Sequence, residues 1–399
     1  MSNRAANIAA MTDMVNSRVE AEREKLGQAT SPFDRPRCPV RGWMQELPPP
    51  RPERFEGVIP EGLVCAIGGP GGGGKSHVSC SMVLSAATGM PFGPFRPVGA
   101  CSVMYLSLED DEIELRRRFW SLGQAWSLNP VHLDALDSNL YVLPMVGRMG
   151  PLVELDPTGN PTTGAAYDQL CDAVVKLGIR FLIVDPKSRA YALDENRSDH
   201  ATAWVQALER LVAIVPGLVV MFTHHSPKGL AGQDRMSADL VFRGSSGLAD
   251  AIRWGAGLRT MTAGDAELYG VDHYRNFVEL DLVKTNYAPQ WPGPVYFERG
   301  PGGVLMPADL KRDRALLVAE AFARALADDG GQWSRRDLSR SGSGIKGKLK
   351  EVVPGWKASH LDRSIDAALR LGLVEEVQIL SGPKSTPKLV LQPVAEPGA

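Results

Sequence analysis

Short apolar runs alternate with amphipathic stretches through the middle of this chain. Leu63–Ile67, Ser102–Leu108, Phe181–Val184 and Leu218–Thr223 are rich in branched and aromatic residues with no polar face. Such runs predict strands buried on both sides of a parallel sheet. Between them, segments such as Ser76–Ala87 and Glu112–Leu122 have helical spacing. From Gly57 to about Pro307 the alternation predicts an α/β sheet flanked by helices. Ahead of it, Arg4 to about Gly27 has helical composition, with Ile8, Met11, Val15 and Val19 near one face. Gln28 to about Glu53 carries Pro32, Pro36, Pro39 and Pro48–Pro50, which predicts an extended lead-in. Beyond Arg312, Val318, Phe322 and Leu326 form one helical face, and Leu361, Ile365 and Ala368 another. Ser359 is placed to cap the second helix and Gly372 to end it. Leu373–Leu380 and Lys388–Leu391 then flank a Ser-Gly-Pro-Lys turn, an order that predicts a winged helix. The expected division is therefore an arm and lead-in at 1–56, an α/β core at 57–310 and a winged-helix-like domain at 311–399.

Composition narrows the class. At 399 residues two folded units are expected, and 44% hydrophobic with 23% charged residues excludes wholesale disorder. Cys38, Cys65, Cys80, Cys101 and Cys171 form no CxxC pair, so reduced, mostly buried thiols are expected. No apolar run approaches the roughly 20 residues that span a bilayer, and the polar start lacks a secretory core. A cytoplasmic protein with no membrane partner is expected. The formal net charge of −2 confers no global attraction to nucleic acid, so any such binding must use local basic patches.

Chemistry enters at Gly69, Pro70, Gly71, Gly72, Gly73, Gly74, Lys75 and Ser76, followed by His77. This GxxxxGK[ST] loop lies between a strand-like and a helix-like run, the context of a phosphate-binding P-loop. Glycines let the backbone wrap a triphosphate, and its N–H groups with the helix start point at the phosphates. Lys75 is expected to reach the β and γ phosphates of ATP, and the Ser76 hydroxyl to ligate Mg²⁺. Asp185, ending an apolar run, puts a carboxylate at the carboxyl end of a strand expected beside the P-loop strand. It is the candidate for the metal's water shell, the alternative being a helix cap. Glu109-Asp110-Asp111 ends another strand; Glu109 is a candidate general base, while Asp110 and Asp111 suit a helix start. His224 and His225 close the run Leu218–Thr223 at the same side.

The ordered series from Gly57 to Leu310 resembles the RepA-type hexameric replicative helicases of broad-host-range plasmids and, more distantly, DnaB and RecA. It runs through the P-loop, Tyr105–Asp110, Leu182–Asp185, His224–Gly229, Arg243–Ser246, Asp250–Trp254 and Val283–Tyr287. The resemblance implies a RecA-like core, ATP hydrolysis, a homo-hexamer, single-stranded DNA as partner, and a primase or initiator protein as a further one. It implies that His224 or His225 senses the γ-phosphate and that Arg253 reaches a neighbouring subunit's nucleotide, with Lys284 and Arg243 as competing cations. Lys228 and Arg235, between sensor and finger, would then lie on a DNA-facing loop, or else on an ordinary surface loop. The arm and the tail beyond Leu310 depart from those helicases. In the tail, Arg335, Arg336, Arg340, Lys346, Lys348 and Lys350 suit DNA, whereas Asp362 and Asp366 suit a protein partner. Two other readings stay open: a RecA-class recombination mediator, and an ATP-switched replication or transcription regulator with little turnover.

Overall fold

The computed structural model describes residues 40–226, 236–242, 246–269, 271, 273–291, 293–308, 310, 312–353, 356–379 and 388–394. The arm at Arg4–Gly27 and the residues Lys228, Arg235 and Arg243 lie outside them.

After a short helix α1 (Val40–Trp43), strands β1 (Glu53–Phe55) and β2 (Ile59–Pro60) form a ribbon. The lead-in is therefore not wholly extended, and ordered structure begins before Gly57. β3 (Val64–Gly69) leads to α2 (Lys75–Thr88), and β4 (Val103–Ser107) to α3 (Glu112–Ala125) and α4 (Pro130–Asn139). β5 (Leu140–Pro144) precedes a ribbon of β6 (Val153–Leu155) and β7 (Pro161–Thr163), then α5 (Ala165–Lys176). β8 (Phe181–Asp185) is followed by α6 (Lys187–Ala190) and α7 (Ser198–Ile214), and β9 (Val219–His225) by α8 (Ala238–Val241) and α9 (Ser246–Ala251). β10 (Trp254–Thr260), α10 (Ala263–Tyr269), β11 (Phe277–Thr285), β12 (Val295–Arg299) and β13 (Leu305–Pro307) complete the core.

Nine of these strands form one sheet in the order β13-β12-β11-β10-β3-β9-β8-β4-β5. It is parallel from β10 to β5 and antiparallel from β10 to β13. This is a mixed, mostly parallel α/β sheet of RecA-like type. Alternate residues of each parallel strand enter opposite cores, which explains the uninterrupted apolar runs. Leu182, Val184, Val220 and Phe222 pack with Trp204, Leu208 and Leu211 of α7. Phe181, Ile183, Val219 and Met221 pack with Val78, Met82 and Val83 of α2. Cys65, Cys80 and Cys171 are buried thiols. One expectation fails here: β8 is not beside the P-loop strand, because β9 pairs with both β3 and β8 and separates them. An apolar run fixes that a strand is buried but carries nothing about which neighbour a crossover selects.

The C-terminal unit has a core of its own, built on α11 (Arg312–Asp329), α12 (Arg335–Ser341), α13 (Ser343–Val352), α14 (Leu361–Arg370), β14 (Val374–Ile379) and β15 (Lys388–Pro393). Val318, Phe322 and Leu326 face Leu361, Ile365 and Ala368 across it. Two helices more than expected are present, since α12 and α13 turn in only Leu338, Ile345 and Leu349 from a Ser-, Gly- and Lys-rich stretch. Ser359 does not cap α14: it lies in the 3₁₀ turn Ala358–His360, and α14 starts after His360 without a side-chain cap. Gly372, at φ +66°, does end α14. Trp333 bridges Leu391, adding a one-residue third strand to the β14–β15 ribbon. Among the described residues, no helix is long and apolar enough to cross a membrane.

Candidate nucleotide-binding site

The carboxyl ends of β3, β4, β8 and β9 open into one cleft of ≈ 300 Å³, lined by Gly72–His77, Glu109, Asp110, Arg118, Asp185, His225 and Arg299. Strand ends gather here because parallel strands direct all their following loops to one edge. The loop from Gly69 to Gly74 turns through positive φ at Gly72 (+70°) and Gly74 (+104°), conformations that favour glycine. A Cβ at Gly73 would stand 2.9 Å from the Pro70 carbonyl oxygen, so the tight turn itself excludes a side chain there.

Lys75 opens α2 and is buried, with its Nζ donating to the carbonyls of Gly69 (2.8 Å) and Pro70 (2.9 Å) and lying 3.3 Å from His225 Nδ1. Burial holds its ammonium below the ordinary lysine pKa, partly offset by Asp185 and Glu109. Asp185, also buried, accepts from Tyr105 Oη at 2.6 Å and from Thr223 Oγ1 at 2.5 Å. Its two oxygens are thus oriented by hydroxyls from both neighbouring strands, β4 and β9. Burial, with Asp185 beside it, raises the Tyr105 phenol well above its usual pKa, so it stays a donor.

Glu109 follows β4 on the open rim, with Oε1 3.6 Å from Arg189 Nε and 3.8 Å from His225 Nε2. Asp111 instead caps α3 by accepting from Glu114 N at 2.8 Å, and Asp110 pairs with Arg118 at 3.1 Å. The histidines separate: His225 faces the cleft, whereas His224 is buried, its ring 6.2 Å from that of Phe242. His77 lines the cleft wall as a neutral imidazole, since burial and the nearby Arg118 and Arg299 push its pKa down to about 4.

Two further cleft residues carry no signal in the sequence. Arg299 ends β12 and donates from Nη2 to the Gly72 carbonyl at 3.1 Å, its pKa lowered by burial. Arg118 sits on α3, beside Asp110. Neither belongs to a local motif; Arg299 arrives through the antiparallel edge of the sheet, 227 residues from its carbonyl partner.

Two cationic candidates for a trans role, Arg253 and Lys284, lie at the other end of the sheet. Arg253 is exposed just before β10, its backbone N bonded to Val64 O at 3.4 Å. Val64 precedes Gly69 by five residues of β3, roughly 16 Å along a strand. Lys284, near the same end of β11, donates from Nζ to the carbonyls of Ala249 and Asp250 at the end of α9. Neither reaches its own chain's phosphate loop.

The donor set fits a phosphorylated nucleotide: backbone N–H groups at the start of α2, Lys75 and Arg299 converge on a cavity of suitable size. Among the described residues no group of three or more His, Cys, Asp or Glu side chains is arranged to hold a metal alone. Ser76 and Asp185 instead suit Mg²⁺ that completes its shell with water and phosphate oxygens.

Fold and cleft together define a P-loop ATPase with a RecA-like core, nucleotide-dependent in its activity. A family model described as AAA domain matches residues 29–231, just over half of the 399 residues, and the chain belongs to that family. Among solved structures, it is similar to the flagellar accessory protein FlaH from Methanocaldococcus jannaschii, with a TM-score of 0.42 and 16% identity over 64% of this chain and 93% of that one.

Proposed function

We propose that this ATPase is a ring-shaped motor on single-stranded DNA, a helicase or translocase in the replication of a plasmid, phage or other mobile element. The single observation that carries the reading is the separation between cleft and finger candidates. A site whose γ-phosphate side is open, with Arg253 exposed at the far end of the same sheet, suits head-to-tail assembly in which each interface completes one site. The ordered motif resemblance supports the same arrangement, with a hexamer as the closed form.

Within one chain the roles follow from placement. Lys75, the loop N–H groups and Arg299 bind and orient the phosphates. Ser76 and the hydroxyl-tethered Asp185 would hold the shell of Mg²⁺, which when bound would supply charge neutralisation for the phosphates. Glu109, on the rim, takes the proton of the attacking water. His225, between Lys75 and Glu109, is placed to register whether the γ-phosphate is present. Lys228, Arg235 and Arg243, outside the described residues, keep their proposed roles as channel-loop and alternative finger cations. The C-terminal unit is read as a winged-helix-like module.

Subunit mixing tests this. Lys75→Ala subunits cannot hydrolyse but carry Arg253; Arg253→Ala subunits keep an intact loop. Mixed under verified exchange, they should regain ATPase activity that neither shows alone. A dilute monomer hydrolysing at the full rate, or no recovery on mixing, refutes a trans-acting Arg253, and an open filament on DNA would favour the recombination-mediator reading.

A further inference from the structure

Positive charge in the C-terminal domain is densest along one stretch of the chain. Between Arg335 and Lys350 stand Arg335, Arg336, Arg340, Lys346, Lys348 and Lys350, against the single carboxylate Asp337, in a chain whose net charge is −2. Arg335 is engaged inside the domain, 2.7 Å from Asp366 and 2.8 Å from Glu376. The other five line α12 and α13, all exposed except the half-buried Lys346. Lys348 meets Asp328 at 3.1 Å with both side chains solvated, a pair that water and salt loosen readily.

The shape of α13 adds an independent observation. Ile345, Leu349 and Val353 recur at every fourth residue and are buried, which fixes the inner side of this helix. At about 100° per residue the outer side then carries Gly344, Gly347 and Glu351, with Lys348 on one flank and Lys350 on the other. A Cβ built at Gly347 meets nothing within 4 Å. Glycine inside a helix costs stability, and here no packing within the protein calls for it. At Gly347 the backbone between the two lysine flanks is bare, which lets a polyanion approach closely there, and the exposed Glu351 one turn further on marks where that approach ends.

The neighbouring candidate, α14, is turned the wrong way. Its Arg363 faces the ATPase core, with Nε 3.4 Å from Asp265, while Asp362 is exposed. An anionic membrane surface fits poorly too, because Ile345 and Leu349 of α13 point into the domain and Val352 alone among its large apolar side chains is exposed, too little to enter a headgroup layer.

We propose that the α12–α13 face is a second nucleic-acid contact, which binds the phosphate backbone of duplex DNA by charge and shape rather than by base sequence. Cations on both flanks of a narrow ridge match the two rows of phosphates that border a groove. This binding is independent of the ring reading and is measured without nucleotide. The experiment uses the full chain and fluorescence anisotropy with a labelled random-sequence duplex, a single strand of equal length and phosphatidylserine vesicles, over a series of salt concentrations. With Arg340→Gln/Lys348→Gln/Lys350→Gln, all three exposed whereas Lys346 donates to the Ser339 carbonyl at 2.6 Å, the slope of log K against log salt for the duplex should flatten by about 2.7, roughly 0.9 for each phosphate that is no longer neutralised. DNA-free ATPase activity should be unchanged. Gly347→Leu should weaken duplex binding while keeping the unfolding midpoint at or above the parent's, since the helix gains a better former. An unchanged duplex slope in the triple variant overturns the proposal. So does an equal loss for single strand and duplex, or vesicle binding that the triple variant abolishes while duplex binding survives.

Discussion

Two charged clefts of similar size differ in how their charges are paired. The nucleotide cleft encloses ≈ 300 Å³, and the cleft between the antiparallel edge of the sheet and α14 ≈ 340 Å³. In the second, opposite charges meet directly. Arg259 donates to Glu279 at 2.8 and 3.0 Å, both groups buried; Asp265 lies 3.7 Å from Arg259 and 3.4 Å from Arg363. In the first, the central charges are kept apart: Lys75 and Arg299 bond carbonyl oxygens, and Asp185 accepts from two hydroxyls. The exceptions are Arg118 with Asp110 at the wall and Glu109 with Arg189 on the rim. A cleft that neutralises itself ties elements together; one that holds its cations and carboxylates on neutral partners retains a field for phosphate and metal. Volume does not distinguish them, and charge pairing does.

The largest expected effect tests the cleft whose charges rest on neutral partners. Lys75→Ala removes a cation bonded to carbonyls, so ATP binding should weaken and hydrolysis fall by about 1,000-fold or more. Its unfolding midpoint should stay within about 4 °C of the parent's, because the buried Asp185 keeps both its hydroxyl donors when the nearby ammonium is lost. Steady-state ATPase assays and calorimetry check both. A large loss of stability with hydrolysis retained would erase the contrast between the clefts.

Next in size is Glu109→Gln, which keeps the shape of the rim but removes the base. Hydrolysis should drop about 100-fold or more while ATP still binds. Equal turnover in that variant would reduce Glu109 to its exposed pairings with Arg189 and His225.

Much of the fold was legible because its signals are local. The glycine loop between an apolar run and a helix, and the carboxylate ending Phe181–Val184, are each written within about ten residues. The choice between His224 and His225 was not, since a strand alternates its faces and the sequence does not say which face meets the loop. The partners of Asp185 were equally hidden: Tyr105 and Thr223 reach it only because β4 and β9 flank β8, an order set by crossovers. Arg299 needed the whole antiparallel extension to be threaded before its position beside Gly72 had meaning.

The smallest effect concerns the self-neutralised cleft and is one of slope rather than level. Burial raises the Glu279 carboxyl from its usual 4.5 to about 7, with Arg259 opposing the rise. Between those values the folded chain retains a proton that the unfolded chain has released, so stability falls as pH rises through this window. Below it both states are protonated and the contribution is fully present; above it both are ionised and no further change occurs. Glu279→Gln fixes the neutral form. Urea unfolding of parent and variant at a series of pH values should therefore show a less negative slope in the variant, by up to about 1.4 kcal/mol per pH unit near the middle of the window. The absolute stability of the variant also changes, since Arg259 loses a partner and keeps Asp265 at 3.7 Å, so slopes and not levels are compared. ATPase activity should not follow the slope, because Glu279 lies on β11, away from the phosphate loop. Identical slopes for the two proteins would mean that Arg259 keeps Glu279 ionised throughout, and that this cleft is held by a charged pair rather than by a shared proton.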